Sequence, residues 1–232
     1  IDYIKWDCNR NITEAASATL PPERQGEFFH RYVLGVYDLM DRITTAFPHI
    51  LLENCSSGGC RFDAGMLYYA PQIWTSDCTD PIERLTIQFG ASLCYPVAAM
   101  GAHVSANSRA SVKTRGVVAM SGTFGYELDP RTELTDEERE VVLQQVADYH
   151  KYYDLIHFGD LYRLTAPTEN PYLADWQFVS RIKTRPCSAG SSCGAPPTCI
   201  NLCAWRAWTP TKSMWTRKPA KPIPAPADAR RH

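Results

Sequence analysis

Ile1-Asp2-Tyr3-Ile4-Lys5-Trp6-Asp7-Cys8-Asn9-Arg10 opens the chain as a short run of strand formers that stops on a carboxylate. Working outward from that stretch, a helix is expected from about Gly26 to Ala46, because Phe29, Val33, Val36, Met40 and Ile43 recur at helical spacing and Pro48 ends the run. His49-Ile50-Leu51-Leu52-Glu53 reads as a second strand, Ser56-Ser57-Gly58-Gly59 as a loop, and Gln72-Ile73-Trp74 as a third strand leading to Asp77. Asp80-Pro81 with Glu83 marks the next helix start, whose inner face is Ile82, Leu85 and Phe89. A fourth strand falls within Tyr95 to Val104, a helix over Arg109 to Ser121, and a fifth strand over Phe124 to Leu128. Thr135-Asp136-Glu137-Glu138 is a capping box, opening a long helix with Val142, Val146, Tyr149, Tyr153 and Ile156 on one face.

Strands alternating with helices predict parallel βα units. Five such strands against the eight of a closed (β/α)8 barrel make the fold α/β and the piece half of that barrel, residues 1–159. After Gly159 the pattern changes. Leu161 to Leu164 and Trp176 to Ser180 read as strands, so 160–180 is expected to start a small antiparallel β-domain. Residues 181–232 carry eight prolines and no sustained period, and Pro219 to Pro226 can form neither helix nor central strand. That segment is expected to be an irregular basic tail, read either as out of frame or as a genuine linker.

In a parallel barrel, side chains at the C-terminal ends of the strands point into the mouth where chemistry takes place. Asp7 and Asp77 both follow short apolar runs, and two carboxylates so placed suggest the pair of a glycoside hydrolase. One would attack the anomeric carbon, and the other would protonate the leaving oxygen and then activate water. Each has a plainer reading as an N-cap or turn residue, although Asp80-Pro81 already supplies the cap near Asp77. Lys5 lies two residues from Asp7 on the same strand face and would favour its ionised form.

Four motifs occur in order: Lys5-Trp6-Asp7-Cys8-Asn9-Arg10-Asn11-Ile12-Thr13-Glu14, Glu53-Asn54-Cys55-Ser56-Ser57-Gly58-Gly59, Trp74-Thr75-Ser76-Asp77 and Gly101-Ala102-His103-Val104-Ser105. Together they make residues 1–180 resemble the α-galactosidases of glycoside hydrolase family 36. The resemblance implies that the half-barrel is strands four to eight, with Asp7 as nucleophile and Asp77 as acid/base. It implies a retaining exo-α-galactosidase that releases terminal α-1,6-linked galactose from melibiose, raffinose and stachyose without a cofactor. Rival readings are galactosyl transfer of the raffinose or stachyose synthase type and an inactive fragment lacking the upstream half-barrel. The resemblance also implies a cytoplasmic, tetrameric protein when full length.

Among further candidates for substrate binding, Lys5 resembles the family lysine that binds galactose hydroxyls, or is a salt-bridged barrel-wall lysine. Cys55 and Gly58 match positions lining the sugar pocket, or belong to a plain tight loop. Asn9 contacts a sugar hydroxyl or merely makes a turn, and Trp74 stacks on the sugar or fills the core. His103 is a supporting residue behind the site or a satisfied core histidine. Arg61, Asp63 and Arg84 are expected in rim ion pairs without a catalytic role. Cys8 and Cys78 depart from the family's usual Met and Asn beside the two carboxylates, which bears on substrate preference or rate.

The net charge of −1 divides into +9 over residues 181–232 and −10 over the rest, and no basic stripe in the first 180 residues points to nucleic acid. No stretch of about 18 apolar residues suggests a membrane span, and no signal-peptide pattern is present. The chain begins at Ile1, already inside a strand, and reads as truncated there. Its nine cysteines lack the spacing of a disulfide framework or a zinc site, so reduced thiols and no metal are expected.

Overall fold

A computed structural model of the chain describes residues 1–9, 12–58, 60–106, 110–169 and 173–181, together with the backbone of 199–205. Strands β1 (Tyr3–Asp7), β2 (Leu51–Cys55), β3 (Gln72–Trp74), β4 (Met100–Ser105) and β5 (Thr123–Glu127) form one sheet in chain order. Every neighbouring pair is parallel. The crossovers carry α1 (Phe28–Ala46), α2 (Ala64–Tyr69), α3 (Pro81–Ser92), α4 (Val112–Ala119) and α5 (Asp136–Phe158 follows β5). This is the architecture of a consecutive stretch of a (β/α)8 barrel.

Local chemistry sets the helix starts. The Asp80 carboxylate accepts from the backbone N–H of Ile82 at 2.9 Å and of Glu83 at 3.2 Å, with Pro81 at the first helical position. Thr135 and Glu138 form a reciprocal capping box at α5. Two starts differ from expectation. Pro22–Glu27 winds as a 3-10 turn before α1, and Ser111 caps α4 through Thr114 N–H, so that helix begins at Val112. Arg109, where the sequence placed its start, lies outside the described residues. The six-residue α2, with Asp63 as its N-cap, is too short to show a helical period.

Strand alternation separates the two faces of the sheet. Ile4 and Trp6 pack with Leu52 against Met40 of α1 and Met66 of α2. Met100 packs with Leu85, Val117, Val118, Tyr149 and Ile156 beneath α3, α4 and α5. The other face carries Lys5 and Asp7 of β1, Glu53 and Cys55 of β2, Trp74 of β3, His103 of β4 and Glu127 of β5. The parallel register sets Lys5 beside Glu53, Asp7 beside Cys55, and Trp74 beside Gly101. Periodicity names a face, but burial needs a neighbour to cover it. Val36, Met40 and Ile43 meet the sheet, whereas Phe29 stays 54% exposed on the same helix. On α5, Tyr149 and Ile156 are buried, and Tyr153 is 44% exposed.

A second sheet is antiparallel, in the order β6 (Asp160–Thr165), β7 (Leu173–Val179), β8 (Cys199–Trp205). Trp176 and Phe178 of β7 join the Leu85–Met100 core, so this sheet seats on the barrel helices. Strand β8 corrects the expectation of an irregular segment from Arg181 onward. Cys199-Ile200-Asn201-Leu202-Cys203-Ala204-Trp205 is free of Pro and Gly, and the edge of β7 supplies the partner that a lone seven-residue strand needs. The Pro219 to Pro226 stretch and Cys187 and Cys193 lie outside the described residues. No helix among the described residues is long and apolar enough to cross a membrane.

Candidate active site

Asp7 ends β1 on the rim formed by the C-terminal ends of the strands. Its Oδ2 accepts from Asn9 Nδ2 at 2.9 Å, and the Cys55 thiol donates to the same carboxylate. Burial pushes the carboxyl up, but the Asn9 amide, the Cys55 thiol, the Cys8 backbone and the Lys5 ammonium together outweigh it and lower its pKa below the ordinary aspartate value. Burial also pushes the Cys55 thiol up, which keeps it a neutral donor. The end of β1 is stitched to the loop after β2. Ser56 Oγ donates to Cys8 O at 2.6 Å, and Asn9 Oδ1 accepts from Ser57 N–H at 2.6 Å. Asn9 therefore does more than turn the chain: one side chain ties the carboxylate to the neighbouring loop.

Asp77 stands exposed three residues beyond β3, in the loop Thr75 to Asp80. Gly58 packs directly against that loop with φ +60°, the left-handed region that favours glycine. A Cβ added there would lie 2.4 Å from both Asp77 N and Ser76 Cα. The loops bearing the two carboxylates are thus in contact through residues 56–58, in the order Asp7, Asn9, Ser57, Gly58, Asp77.

Beneath this rim lies a set of charged and aromatic groups on the same sheet face. Glu53 is 2% exposed. Its Oε2 accepts from the Tyr3 hydroxyl and, at 3.3 Å, from Gln72 Nε2, while Oε1 lies 3.6 Å from Lys5 Nζ and has no hydrogen-bond partner among the described residues. Burial, followed by the charge of Glu127, pushes its pKa up to about 7. Lys5 lies close by, with its side chain 34% exposed to screening water, and burial prevails. Trp74 is 4% exposed, with Lys5 Nζ at 4.6 Å and the Arg84 guanidinium at 4.3 Å from its ring centroid. That enclosure corrects the sugar-stacking reading: the ring has no open face and serves as a support under Lys5. His103 lies 4.6 Å from Trp74, ring to ring, and its Nδ1 is 2.9 Å from Glu127 Oε1.

The sequence reading missed Glu53 and Glu127 as members of this set. It also gave Arg84 a place in rim ion pairs, whereas Arg84 is 2% exposed and its guanidinium donates to main-chain and hydroxyl oxygens. Nothing local could have signalled this, because the acceptors come from the loop after β3 and from β4, which only the fold brings together. Among the described residues, no three His, Cys, Asp or Glu side chains converge as a metal-ligand set. Chemically, the rim offers an ionised carboxylate with fixed donors, a second carboxylate on an adjoining loop, and a lysine between them and the floor.

A family model described as melibiase matches residues 1–159. Alpha-galactosidase AgaA of Geobacillus stearothermophilus is 59% identical over 186 residues, covering 78% of this chain and 25% of that protein. Its crystal structure, titled a GH36 alpha-galactosidase, superposes with a TM-score of 0.74 at 58% identity, over 78% of this chain and 26% of the other. Further structures of AgaA variants are complexes with raffinose and with stachyose. Alpha-galactosidase Mel36A of Lactobacillus acidophilus is 52% identical over 189 residues, 79% of this chain and 25% of the relative. The chain spans about a quarter of the length of the relatives it matches.

Proposed function

Since the chain belongs to the melibiase family, we propose that it carries the catalytic rim of a retaining exo-α-galactosidase acting on terminal α-linked galactose in raffinose-type oligosaccharides. One observation carries the reading. Asp7 is held ionised at a strand end by Asn9, Cys55 and Lys5, with Asp77 on a loop packed against Gly58, next to the Ser57 N–H that Asn9 holds. The complexes of AgaA with raffinose and stachyose support the substrate class.

Asp7 attacks the anomeric carbon and forms a galactosyl ester, while Asp77 gives its proton to the departing glycosidic oxygen. Asp77 then takes a proton from water, which opens the ester. Two inversions at one carbon return the α-configuration. The Cys55 and Asn9 donors keep the Asp7 carboxylate deprotonated and aimed, so the nucleophile needs no proton removed before it reacts. Lys5, beside Glu53 and Trp74 with its side chain 34% exposed, donates to galactose hydroxyls in this reading.

The test is Asp7→Gly in the full-length protein, assayed on an aryl α-galactoside with and without azide. Loss of turnover, restored by azide with formation of a β-galactosyl azide, supports the nucleophile and the retaining route. Turnover undiminished without azide refutes Asp7 as the nucleophile.

A further inference from the structure

Resting on the functional reading above, we propose that Arg84 and Arg61 are positioning residues, one for each carboxylate: Arg84 aims Asp77 and Arg61 aims Asp7. The Arg84 guanidinium, from the first turns of α3, makes four hydrogen bonds. Nε donates to Cys78 O at 2.7 Å and Nη2 to Ser76 O at 2.7 Å, while Nη1 donates to Thr75 Oγ1 at 2.7 Å and Gly101 O at 3.1 Å. Ser76 and Cys78 flank Asp77, so one rigid planar fork holds the carbonyls on both sides of it. Ser76 O belongs to the peptide that carries Asp77 N and Cys78 O to the peptide after Cys78, so the fork pins the backbone at both ends of the Asp77–Cys78 pair, which restricts the directions open to the Asp77 Cα–Cβ bond and the line along which the acid delivers its proton. The fourth bond anchors the loop to β4 through Gly101.

Arg61, from the loop before α2, does the same at the other carboxylate. Its Nη2 donates to Trp6 O at 3.0 Å and to Cys55 O at 2.5 Å. Trp6 O belongs to the peptide leading into Asp7, and Cys55 is the residue whose thiol reaches that carboxylate. The guanidinium also lies 5.7 Å from the Trp6 ring.

Stability alone is a poor account of Arg84. A buried cation costs desolvation, and burial here pushes its pKa down to about 10. Apolar side chains would fill the same space without that cost. What they lack is a directed set of donors that fixes a loop otherwise free of regular structure.

A third arginine supplies a control. Arg115 of α4 donates to Ser105 O and Ala106 O at the end of β4, where no candidate carboxylate follows. It is the same kind of clamp without the chemistry.

The double displacement gives each carboxylate its own kinetic signature. A dinitrophenyl leaving group departs without a proton, whereas the alkoxide of raffinose needs one. The nucleophile, by contrast, is required with every leaving group. In the full-length protein, Arg84→Lys is expected to lower kcat/KM on raffinose by about 10²-fold and on dinitrophenyl α-galactoside by less than about threefold, because lysine is a point charge that cannot span the four acceptors. Azide should accelerate turnover of the activated substrate in that variant, since it attacks the galactosyl ester without a base. Thr75→Val, which deletes one acceptor with little change of shape, should move the ratio in the same direction by less, and it serves if Arg84→Lys does not accumulate folded. Arg61→Lys should lower both substrates by one common factor. Arg115→Lys should leave the ratio of the two rates at the wild-type value.

Asp77→Ala is measured alongside. If it slows both substrates equally, the acid/base reading fails, whatever the arginines do. If it discriminates by leaving group while Arg84→Lys and Thr75→Val do not, the function stands and the positioning inference is overturned. Discrimination by Arg61→Lys or Arg115→Lys also overturns the assignment of one arginine to one carboxylate.

Discussion

Replacing Gly58 by alanine adds a single methyl group, and the structure says where it goes. The new Cβ would lie 2.4 Å from Asp77 N and Ser76 Cα, and 2.6 Å from Ser76 C, against an ordinary contact that begins at 3.4 Å. Backbone atoms cannot rotate aside as a side-chain tip can, so the two loops must separate by about 1 Å. The left-handed φ of +60° adds strain for any residue with a Cβ, of about 1–2 kcal/mol. A displacement of about 1 Å at a reacting group costs on the order of 10²-fold in rate. Gly58→Ala is therefore expected to stay folded, to melt a few degrees lower, and to lose about 10²-fold in kcat/KM on raffinose. The assay pairs initial rates on raffinose, whose leaving group needs the proton, with a thermal melt of the same preparation. Rates within about threefold of wild type in a folded variant would show that the contact does not aim Asp77.

Two further outcomes follow from the charged groups. Glu53 has its pKa raised from the ordinary 4.5 to about 7, so ionising it costs the folded state more than the unfolded chain. Its burden on stability is absent below about pH 4.5, grows as pH rises toward about 7, and levels off above that at up to about 3 kcal/mol. Glu53→Gln should accordingly gain stability relative to wild type between about pH 5 and about pH 8 in parallel melts; a constant difference across that range would contradict the burial argument. Asn9→Ala removes the first of the donors that lower the Asp7 pKa. The acidic limb of the kcat/KM profile, which requires Asp7 ionised, should move to higher pH, and an unmoved limb would assign it to another group.

The parallel sheet was legible because its signals are local. Asp80-Pro81, the capping box at Thr135 and the apolar runs before Asp7 and Asp77 each announce themselves within a few residues. The fork of Arg84 was not legible, since its acceptors lie at Thr75, Ser76, Cys78 and Gly101 and only the fold gathers them. Glu53 read as a strand residue, but its partner Tyr3 stands fifty positions away across a parallel register. Trp74 offered two readings from composition alone, and its enclosure by Lys5 and Arg84 decided for the core. Strand β8 was hidden because seven ordinary residues sat in prolines and basic residues, and strand pairing with β7 is a long-range event.

The three arginine clamps share a geometry with a consequence for exchange between barrels. Arg84 and Arg115 are contributed by the segment that follows the strand end they grip, β3 and β4, whereas Arg61, after β2, grips the ends of both β2 and β1. For the acid, the strand, its loop and the opening of the next helix therefore travel together as one cassette that carries its own brace, whereas the nucleophile takes its brace from the unit that follows. Grafts cut outside Gln72 to Leu85 should carry the acid into a new barrel already aimed, whereas a junction placed between Ser76 and Arg84 separates the carboxylate from its brace. For the acid the unit to move is the braced cassette rather than the loop alone, and for the nucleophile it is two consecutive units.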